Sequence, residues 1–156
     1  MSSDVRVDLN EGVMTVTLDR PSKKNAITAG MYAAMANAIE KAQADTGVNA
    51  VLLRGEGGNF TSGNDIGLFV SSDQSEHKTS PALPFLTAVL ALKKPLVACV
   101  RGHAVGIGAT VLLHCDYVVA SDDARLRFPF VDLGLCPEFA STLLLQNIVG
   151  RSKATE

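Results

Sequence analysis

Two glycine-bearing turns, each placed after an apolar strand-like run, carry the clearest chemical signal in the sequence. The first turn spans residues 60–66 (Phe-Thr-Ser-Gly-Asn-Asp-Ile) and comes after the apolar run at 50–53. The second spans residues 102–108 (Gly-His-Ala-Val-Gly-Ile-Gly) and comes after the apolar run at 96–100. Two such turns can direct two backbone N–H groups at one point, which stabilises an oxygen that becomes negatively charged. The pair therefore predicts an oxyanion hole built from backbone, although each turn alone is equally compatible with a tight structural connection.

Each turn also leads into a predicted helix. In the second turn the helix is expected to begin at Ile107, and the first N–H groups of a helix have no internal partner. In the first turn, Asp65 is suited to cap a short helix over residues 66–70. The glycine spacing of the second turn differs from the G-x-G-x-x-G fingerprint of dinucleotide-binding proteins, so a nicotinamide or flavin dinucleotide is not predicted.

Glu138 is the carboxylate with the most promising surroundings. It lies in the segment 134–139 (Gly-Leu-Cys-Pro-Glu-Phe), with apolar residues on both sides. Partial burial there would raise its pKa toward the range that is useful for proton transfer. The local sequence is equally compatible with a solvent-facing glutamate near the first turn of the next helix. The sequence places no Ser or Cys in an obvious pairing with His103 or His114, so both histidines are interpreted as structural.

Composition excludes several classes of protein. With 156 residues, 47% hydrophobic and 19% charged, the chain is predicted to form one domain with a core. A formal net charge of -2 gives no reason to expect nucleic acid as a partner. No run of about 18 apolar residues is present to span a membrane, and no secretory signal is recognisable. Cys99, Cys115 and Cys136 lie in apolar stretches without metal-like spacing, which indicates reduced core cysteines of a cytoplasmic protein.

Apolar periodicity predicts a layered α/β fold. Residues 5–18 are predicted to form a β-hairpin, and Thr28 is predicted to cap the helix that follows. The alternation of strands and helices after residue 25 indicates βαβ units. The expected elements are strands at 50–53, 96–100 and 117–120, helices at 85–92, 109–114 and 142–149, a surface loop over 70–84 and the start of another helix at 151–156. Because such a sheet needs further helices on its exposed face, we expect residues 1–156 to be the N-terminal core of a longer protein.

Four segments in order resemble the crotonase (enoyl-CoA hydratase/isomerase) superfamily. They lie at residues 18–26, 60–66, 102–116 and 133–150, and together they extend along essentially the whole chain. The resemblance implies an α/β spiral of repeated β-β-α units, here lacking its C-terminal helices. It also implies assembly as a homotrimer or as a dimer of trimers.

The resemblance further implies a site for an acyl-coenzyme A thioester. The family's oxyanion-hole donors correspond here to the N–H groups of Asn64 and Ile107. The contacts implied for the substrate and its coenzyme A part are Lys23, Lys24, Ala26, Ser62, Gly63, Asn64, Asp65, Ile66, Gly106 and Phe130. Coenzyme A is part of the substrate, and no other cofactor and no metal is implied.

Two departures from the family pattern decide which reaction is expected. Enoyl-CoA hydratases of this family carry two glutamates that activate water, and this chain has Thr110 and Phe130 at those positions. The segment 134–138 instead resembles the peroxisomal type of Δ3,Δ2-enoyl-CoA isomerase, in which the single catalytic base corresponds to Glu138. The implied function is isomerisation of 3-enoyl-CoA to trans-2-enoyl-CoA. Two alternatives stay open, namely another crotonase reaction (hydration or hydrolysis) and a non-catalytic acyl-CoA-binding homologue, and a eukaryotic source would make the peroxisome the expected compartment.

Overall fold

The computed structural model describes residues 4–70 and 80–156, which form seven strands and six α-helices within those ranges. In chain order the elements are β1 (Val5–Asn10), β2 (Val13–Leu18), α1 (Ala29–Ala44), β3 (Ala50–Gly55), α2 (Gly67–Val70), α3 (Leu83–Ala91), β4 (Leu96–Val100), β5 (His103–Val105), α4 (Ile107–Thr110), β6 (Tyr117–Ala120), β7 (Arg125–Arg127), α5 (Ser141–Val149) and α6 (Arg151–Thr155). Short 3₁₀ helices occur at Pro21–Lys23, Val111–His114 and Val131–Leu133. None of the helices in this described part is long and apolar enough to cross a membrane.

The main sheet has five strands in the order β1-β2-β3-β4-β6. β1 and β2 are antiparallel, and the remaining neighbours are parallel. The hairpin turn uses Glu11 and Gly12, both with positive φ (48° and 78°), as a two-residue turn between strands of right-handed twist requires. A second, two-stranded parallel sheet joins β5 to β7. Because parallel neighbours align their C-terminal ends, the segments that follow β3 and β4 meet at one edge.

Helix α1 covers the sheet because one of its faces is continuously apolar. Met31, Met35 and Ile39 recur at helical spacing and are 0–3% exposed. They pack with Val16 and Val51 of the sheet in a single core. Burying each such side chain contributes about 1.5–3 kcal/mol, whereas a capping interaction typically contributes about 1 kcal/mol. Packing against the sheet, more than helix propensity, therefore stabilises α1.

The structure confirms most of the predicted elements. The hairpin, the helix capped by Thr28, the three predicted strands and the helix starting at residue 151 are all present. Helix α3 begins at Leu83, two residues earlier than predicted, because proline is tolerated in the first turn of a helix. Most of the loop predicted over 70–84 falls outside the described residues. The short strands β5 and β7 were not predicted, since three residues are too few to show a period.

The interpretation of the three cysteines as core residues was wrong for two of them. Cys99 and Cys136 are exposed, and only Cys115 is partly buried. None of the three is in a disulfide. The apolar neighbours that suggested burial at Cys99 alternate with it along β4, so they face the core while Cys99 faces the opposite side.

The cap of α1 provides a test of local stability. Thr28 Oγ1 accepts a hydrogen bond from the Met31 N–H at 3.3 Å. We expect Thr28→Ala to lower the free energy of unfolding by about 1 kcal/mol, as measured by urea denaturation, because a first-turn N–H loses its acceptor. Thr28→Ser keeps the oxygen and should stay close to the wild type. Equal losses in the two variants would mean that the threonine methyl group, and not the cap, contributes the stability.

Candidate active site

The two predicted turns are joined by a short parallel bridge between Thr61 and Ala104. The Thr61 N–H donates to the His103 carbonyl at 2.9 Å, and the Val105 N–H donates to the Thr61 carbonyl at 3.1 Å. The turns also pack closely, since a Cβ added at Gly63 would lie 2.9 Å from the Val105 carbonyl oxygen. Hydrogen bonding and close packing thus fix one turn relative to the other.

One N–H group in the first turn is left for a ligand. The N–H groups of Ser62, Gly63 and Asp65 all donate to groups within the protein. That of Asn64 has no partner among residues 4–70 and 80–156. The residue before Asn64 is Gly63, which has a φ of 92°, a value that residues with a side chain rarely adopt. This conformation sets the direction of the peptide group that carries the Asn64 N–H.

The second turn leaves an equivalent N–H group. Gly106 has φ 57° and ψ -118°, and its carbonyl accepts the Ala109 and Thr110 N–H groups as α4 begins. Its own N–H donates to the Arg127 carbonyl at 3.0 Å. The next N–H, that of Ile107, has no acceptor in the described part of the chain, as expected for the first residue of a helix.

Asn64, Ile107 and Glu138 line the same cavity, which has a volume of about 350 Å³. The lining is completed mainly by small and apolar residues: Ser62, Gly63, Ser80, Val105, Gly106, Pro129, Phe130, Leu133, Leu135 and Cys136. Glu138 is the one ionisable carboxylate among these described lining residues. The cavity lining therefore includes one acid–base group and two residues whose N–H groups have no acceptor in the described part of the chain, and these are the groups that proton transfer next to a carbonyl carbon uses.

Burial raises the pKa of the Glu138 carboxyl above its ordinary value. No described residue forms a hydrogen bond or ion pair with this carboxylate, so nothing offsets the loss of hydration. Desolvation disfavours the charged form, which is the usual way in which a glutamate becomes a better proton acceptor. The local sequence left open whether Glu138 is partly buried or faces solvent, and in the structure it is partly buried.

The side chain of Asn64 is held from behind by Tyr32 of α1. The Tyr32 hydroxyl donates to Asn64 Oδ1, and Tyr32 itself is fully buried. Burial, and next the negative charge of Glu138, raise the pKa of Tyr32, so its hydroxyl stays neutral and remains a donor. Helix α1 therefore supports one wall of the cavity by a hydrogen bond between side chains as well as by packing.

Comparison with known proteins identifies the family. Residues 8–156 match the family model described as enoyl-CoA hydratase/isomerase. The chain belongs to the enoyl-CoA hydratase/isomerase family. It is 37% identical to the peroxisomal enoyl-CoA delta isomerase 3 of Mus musculus, over 99% of this chain and 50% of that protein. It is 30% identical to the 2,3-dehydroadipyl-CoA hydratase of Escherichia coli, over 99% of this chain and 60% of that protein.

Solved structures place the chain in the same fold. The crystal structure of an enoyl-CoA hydratase/isomerase from Pseudoalteromonas atlantica T6c is 42% identical, with a TM-score of 0.92, over 98% of this chain and 61% of that one. The α/β architecture with β-β-α units predicted from the sequence is therefore confirmed as the crotonase fold. The chain spans 50–61% of the length of these three relatives.

The predicted contacts of the acyl-CoA substrate divide into two groups. Those that line the cavity with Glu138 and Ile107 are Ser62, Gly63, Asn64, Gly106 and Phe130. Those that lie outside the cavity lining are Lys23, Lys24, Ala26, Asp65 and Ile66. Both lysines are exposed, and Ile66 is 77% exposed. Asp65 accepts a hydrogen bond from Arg20 at 2.5 Å, and this contact holds the pKa of Asp65 below its usual range.

The loop that carries Lys23 and Lys24, here called the basic loop, nevertheless adjoins the first turn, because Asn25 links the two. This residue is fully buried, and its Nδ2 donates to the carbonyls of Glu56 (2.9 Å) and Asn59 (2.8 Å). The Asn25 carbonyl accepts from Thr61 Oγ1 at 2.7 Å, and the Lys24 carbonyl accepts from the Ser62 N–H at 2.9 Å. The two lysines that the family pattern assigns to coenzyme A are therefore anchored beside the turn that carries the Asn64 N–H.

Several residues at the site had no clear signal in the sequence. Tyr32 lies in the apolar face of α1, where the helical pattern predicts only burial. The one signal for a role at the site is that a buried tyrosine hydroxyl needs a hydrogen-bond partner. Asn25 lies in a polar loop and was noted only as part of the family pattern. His103 is exposed, and its Nδ1 lies 2.9 Å from Asn59 Oδ1. His114 Nε2 donates a hydrogen bond to the Phe139 carbonyl at 2.8 Å. Thr110 is fully buried, and its hydroxyl donates to the carbonyl of Ile107, a residue of the cavity lining.

The raised pKa of Glu138 has a consequence for stability. In the folded protein the pKa lies above its unfolded value of about 4.3, so protonation of Glu138 favours folding. That stabilisation is fully present below the unfolded pKa and is lost as pH rises through the folded pKa. Glu138→Gln is neutral at every pH. We therefore expect a larger free energy of unfolding for this variant than for the wild type at neutral pH, with a difference that disappears in acid.

Urea denaturation over a range of pH measures this difference. Glu40→Gln is a matched control, because it makes the same chemical change in a side chain on the exposed side of α1. If Glu138→Gln and the wild type were equally stable at neutral pH, the Glu138 carboxylate would have to be well hydrated.

Proposed function

We propose that this protein is a Δ3,Δ2-enoyl-CoA isomerase that uses Glu138 as its single acid–base group. The observation that supports it best is that one cavity is lined by a desolvated carboxylate and by two residues whose backbone N–H groups have no acceptor among residues 4–70 and 80–156. A 3-enoyl thioester needs only these parts, because its isomerisation moves one proton and adds no water.

The reaction balances without any further reactant. A Glu138 carboxylate oxygen removes a proton from C2, and the electrons of that C–H bond form the enolate. The negative charge on the thioester oxygen is stabilised by the Asn64 and Ile107 N–H groups. The enolate then forms the C2–C3 double bond, and the electrons of the former C3–C4 double bond take the proton at C4 from Glu138. Each backbone donor contributes about 10²- to 10³-fold to such a rate, and a positioned base about 10²- to 10⁴-fold.

The surroundings of the base favour isomerisation over hydration. Hydration needs groups that hold and activate a water molecule at C3, and the family pattern puts them at Thr110 and Phe130 in this chain. Thr110 is fully buried, and its hydroxyl donates to the Ile107 carbonyl at 3.4 Å. Phe130 is 7% exposed and contributes an apolar wall to the cavity. Neither side chain can act as a carboxylate base.

We also propose that the coenzyme A part of the substrate lies along the basic loop. Lys23 and Lys24 are exposed, and backbone hydrogen bonds anchor the loop to the first turn through Ser62. Ammonium groups in such a place suit the phosphates of coenzyme A. In this arrangement the thioester would extend from the lysines past the Asn64 N–H toward Glu138.

Substitution of the base is the first test. We expect Glu138→Gln to reduce the conversion of a 3-enoyl-CoA to the conjugated 2-enoyl-CoA by about 10²-fold or more, followed by ultraviolet absorbance. Binding of a saturated acyl-CoA should change little, because the amide has nearly the same shape. Glu40→Gln should keep wild-type turnover. Hydration of a 2-enoyl-CoA that survives in Glu138→Gln would show a different crotonase reaction, and tight binding without any turnover by the wild type would show a non-catalytic homologue.

The oxyanion donors can be tested through a pair of glycines. Gly106 and Gly58 both have positive φ (57° and 78°), and a Cβ added to either would meet no atom within 4 Å. Ala at either position is therefore strained by the backbone alone, but only Gly106 lines the cavity and directly precedes the Ile107 N–H. We expect Gly106→Ala to lower kcat by about 10²-fold and Gly58→Ala to leave it unchanged. Equal kcat values in the two variants would mean that the Ile107 N–H does not contact the enolate oxygen.

A further inference from the structure

The backbone directly after Glu138 adopts an unfavourable conformation. Phe139 and Ala140 have φ values of 56° and 53°, in the left-handed region that residues other than glycine avoid. Two consecutive residues of this kind persist only where neighbouring groups enforce the conformation, and such segments concentrate at functional sites. The turn has a clear local consequence, because the Ala140 carbonyl accepts the Leu143 and Leu144 N–H groups and so starts α5.

His114 makes two contacts with this turn. Its Nε2 lies 2.8 Å from the Phe139 carbonyl oxygen, and its ring stacks on the Phe139 ring with centroids 3.6 Å apart and an interplanar angle of 24°. Because a carbonyl oxygen can only accept, Nε2 must carry a proton in this contact. One side chain thus holds both the backbone and the ring of the residue next to Glu138.

His114 also belongs to the same helical segment as the second N–H donor. Helix α4 begins at Ile107 and continues without a break into the 3₁₀ helix that ends at His114. The segment is anchored in the core, with Val111 and Leu112 3% and 6% exposed. One short rigid element therefore presents the Ile107 N–H at its start and contacts the turn after Glu138 at its end.

We propose that His114 is a positioning residue, which holds Phe139 and Ala140 in the left-handed conformation and thereby sets the place of the Glu138 carboxylate relative to the Ile107 N–H. This inference rests on the proposed function of Glu138 as the base. His114 does not touch the substrate in this arrangement, and its effect on turnover passes through the backbone of Phe139.

Three substitutions separate the two contacts. His114→Ala removes both, His114→Gln keeps an N–H donor without the stacked ring, and His114→Phe keeps a ring without the donor. We expect folded His114→Ala to lose about 10- to 100-fold in kcat, because small displacements of a reacting group have effects of this size, while KM changes little. Partial recovery of kcat is expected in His114→Gln.

A purely structural role would lower stability without changing kcat per folded molecule. Ala140→Gly in the His114→Ala background distinguishes the two, because glycine adopts positive φ without strain. We expect this second change to restore part of the lost kcat. Amide hydrogen exchange provides a readout independent of activity: His114→Ala should exchange faster than the wild type at residues 141–144, with other segments unchanged.

The outcomes are distinguishable from those that test the proposed function. Wild-type turnover in Glu138→Gln would overturn the assignment of the base itself. Loss of turnover in Glu138→Gln, together with wild-type kcat and unchanged exchange in folded His114→Ala, would overturn only the role of His114. If His114→Ala does not fold, the comparison of His114→Gln with His114→Phe replaces it, and wild-type kcat in both would likewise refute the proposal.

Discussion

The site depends on the interactions of one threonine. Thr61 is 1% exposed, and its backbone pairs with that of Ala104 within the second turn. Its hydroxyl donates to the Asn25 carbonyl and accepts the Gly63 N–H, while its methyl group fills the space beside Gly108. The basic loop, the first turn and the start of α4 are therefore all held in place by contacts with Thr61. Two N–H donors that lie far apart in the chain can face one cavity only because this junction is rigid.

Rigidity at this junction matters because the donors have to be in place before charge develops. A backbone N–H group stabilises an enolate most effectively when it needs no reorganisation during the reaction, and water would solvate the same oxygen less selectively. In this structure the neighbours of Asn64 in the turn have already used their N–H groups within the protein. The Asn64 and Ile107 N–H groups, which have no acceptor among residues 4–70 and 80–156, thus represent a local loss of hydrogen bonding that packing in the rest of the core compensates.

The base is subject to a similar conflict between stability and function. Partial burial of Glu138, with no partner among the residues that the structure describes, disfavours its charged form, and the turn that follows it is conformationally strained. A salt bridge would stabilise this carboxylate, but it would also lower the pKa and weaken the base. The protein instead places Glu138 against apolar residues and supports the adjacent backbone with an aromatic stack and a hydrogen bond. The Glu138 side of the cavity and the side formed by the glycine turns therefore each combine a reactive group with residues that hold the adjacent backbone in place.

The sequence alone determined the features that depend on neighbours along the chain. Apolar periodicity predicted the helix that follows Thr28, the glycine turns predicted sharp connections after strands, and the family pattern singled out Glu138 as the candidate base. The contacts that support these groups were decided only by the tertiary structure. Tyr32 and Asn64 are 32 residues apart, and His114 and Phe139 are 25 residues apart. No local pattern in the sequence indicates that either pair is in contact. The same reason explains the error at Cys99 and Cys136, because exposure depends on which face of the folded chain is covered and not on the polarity of adjacent residues.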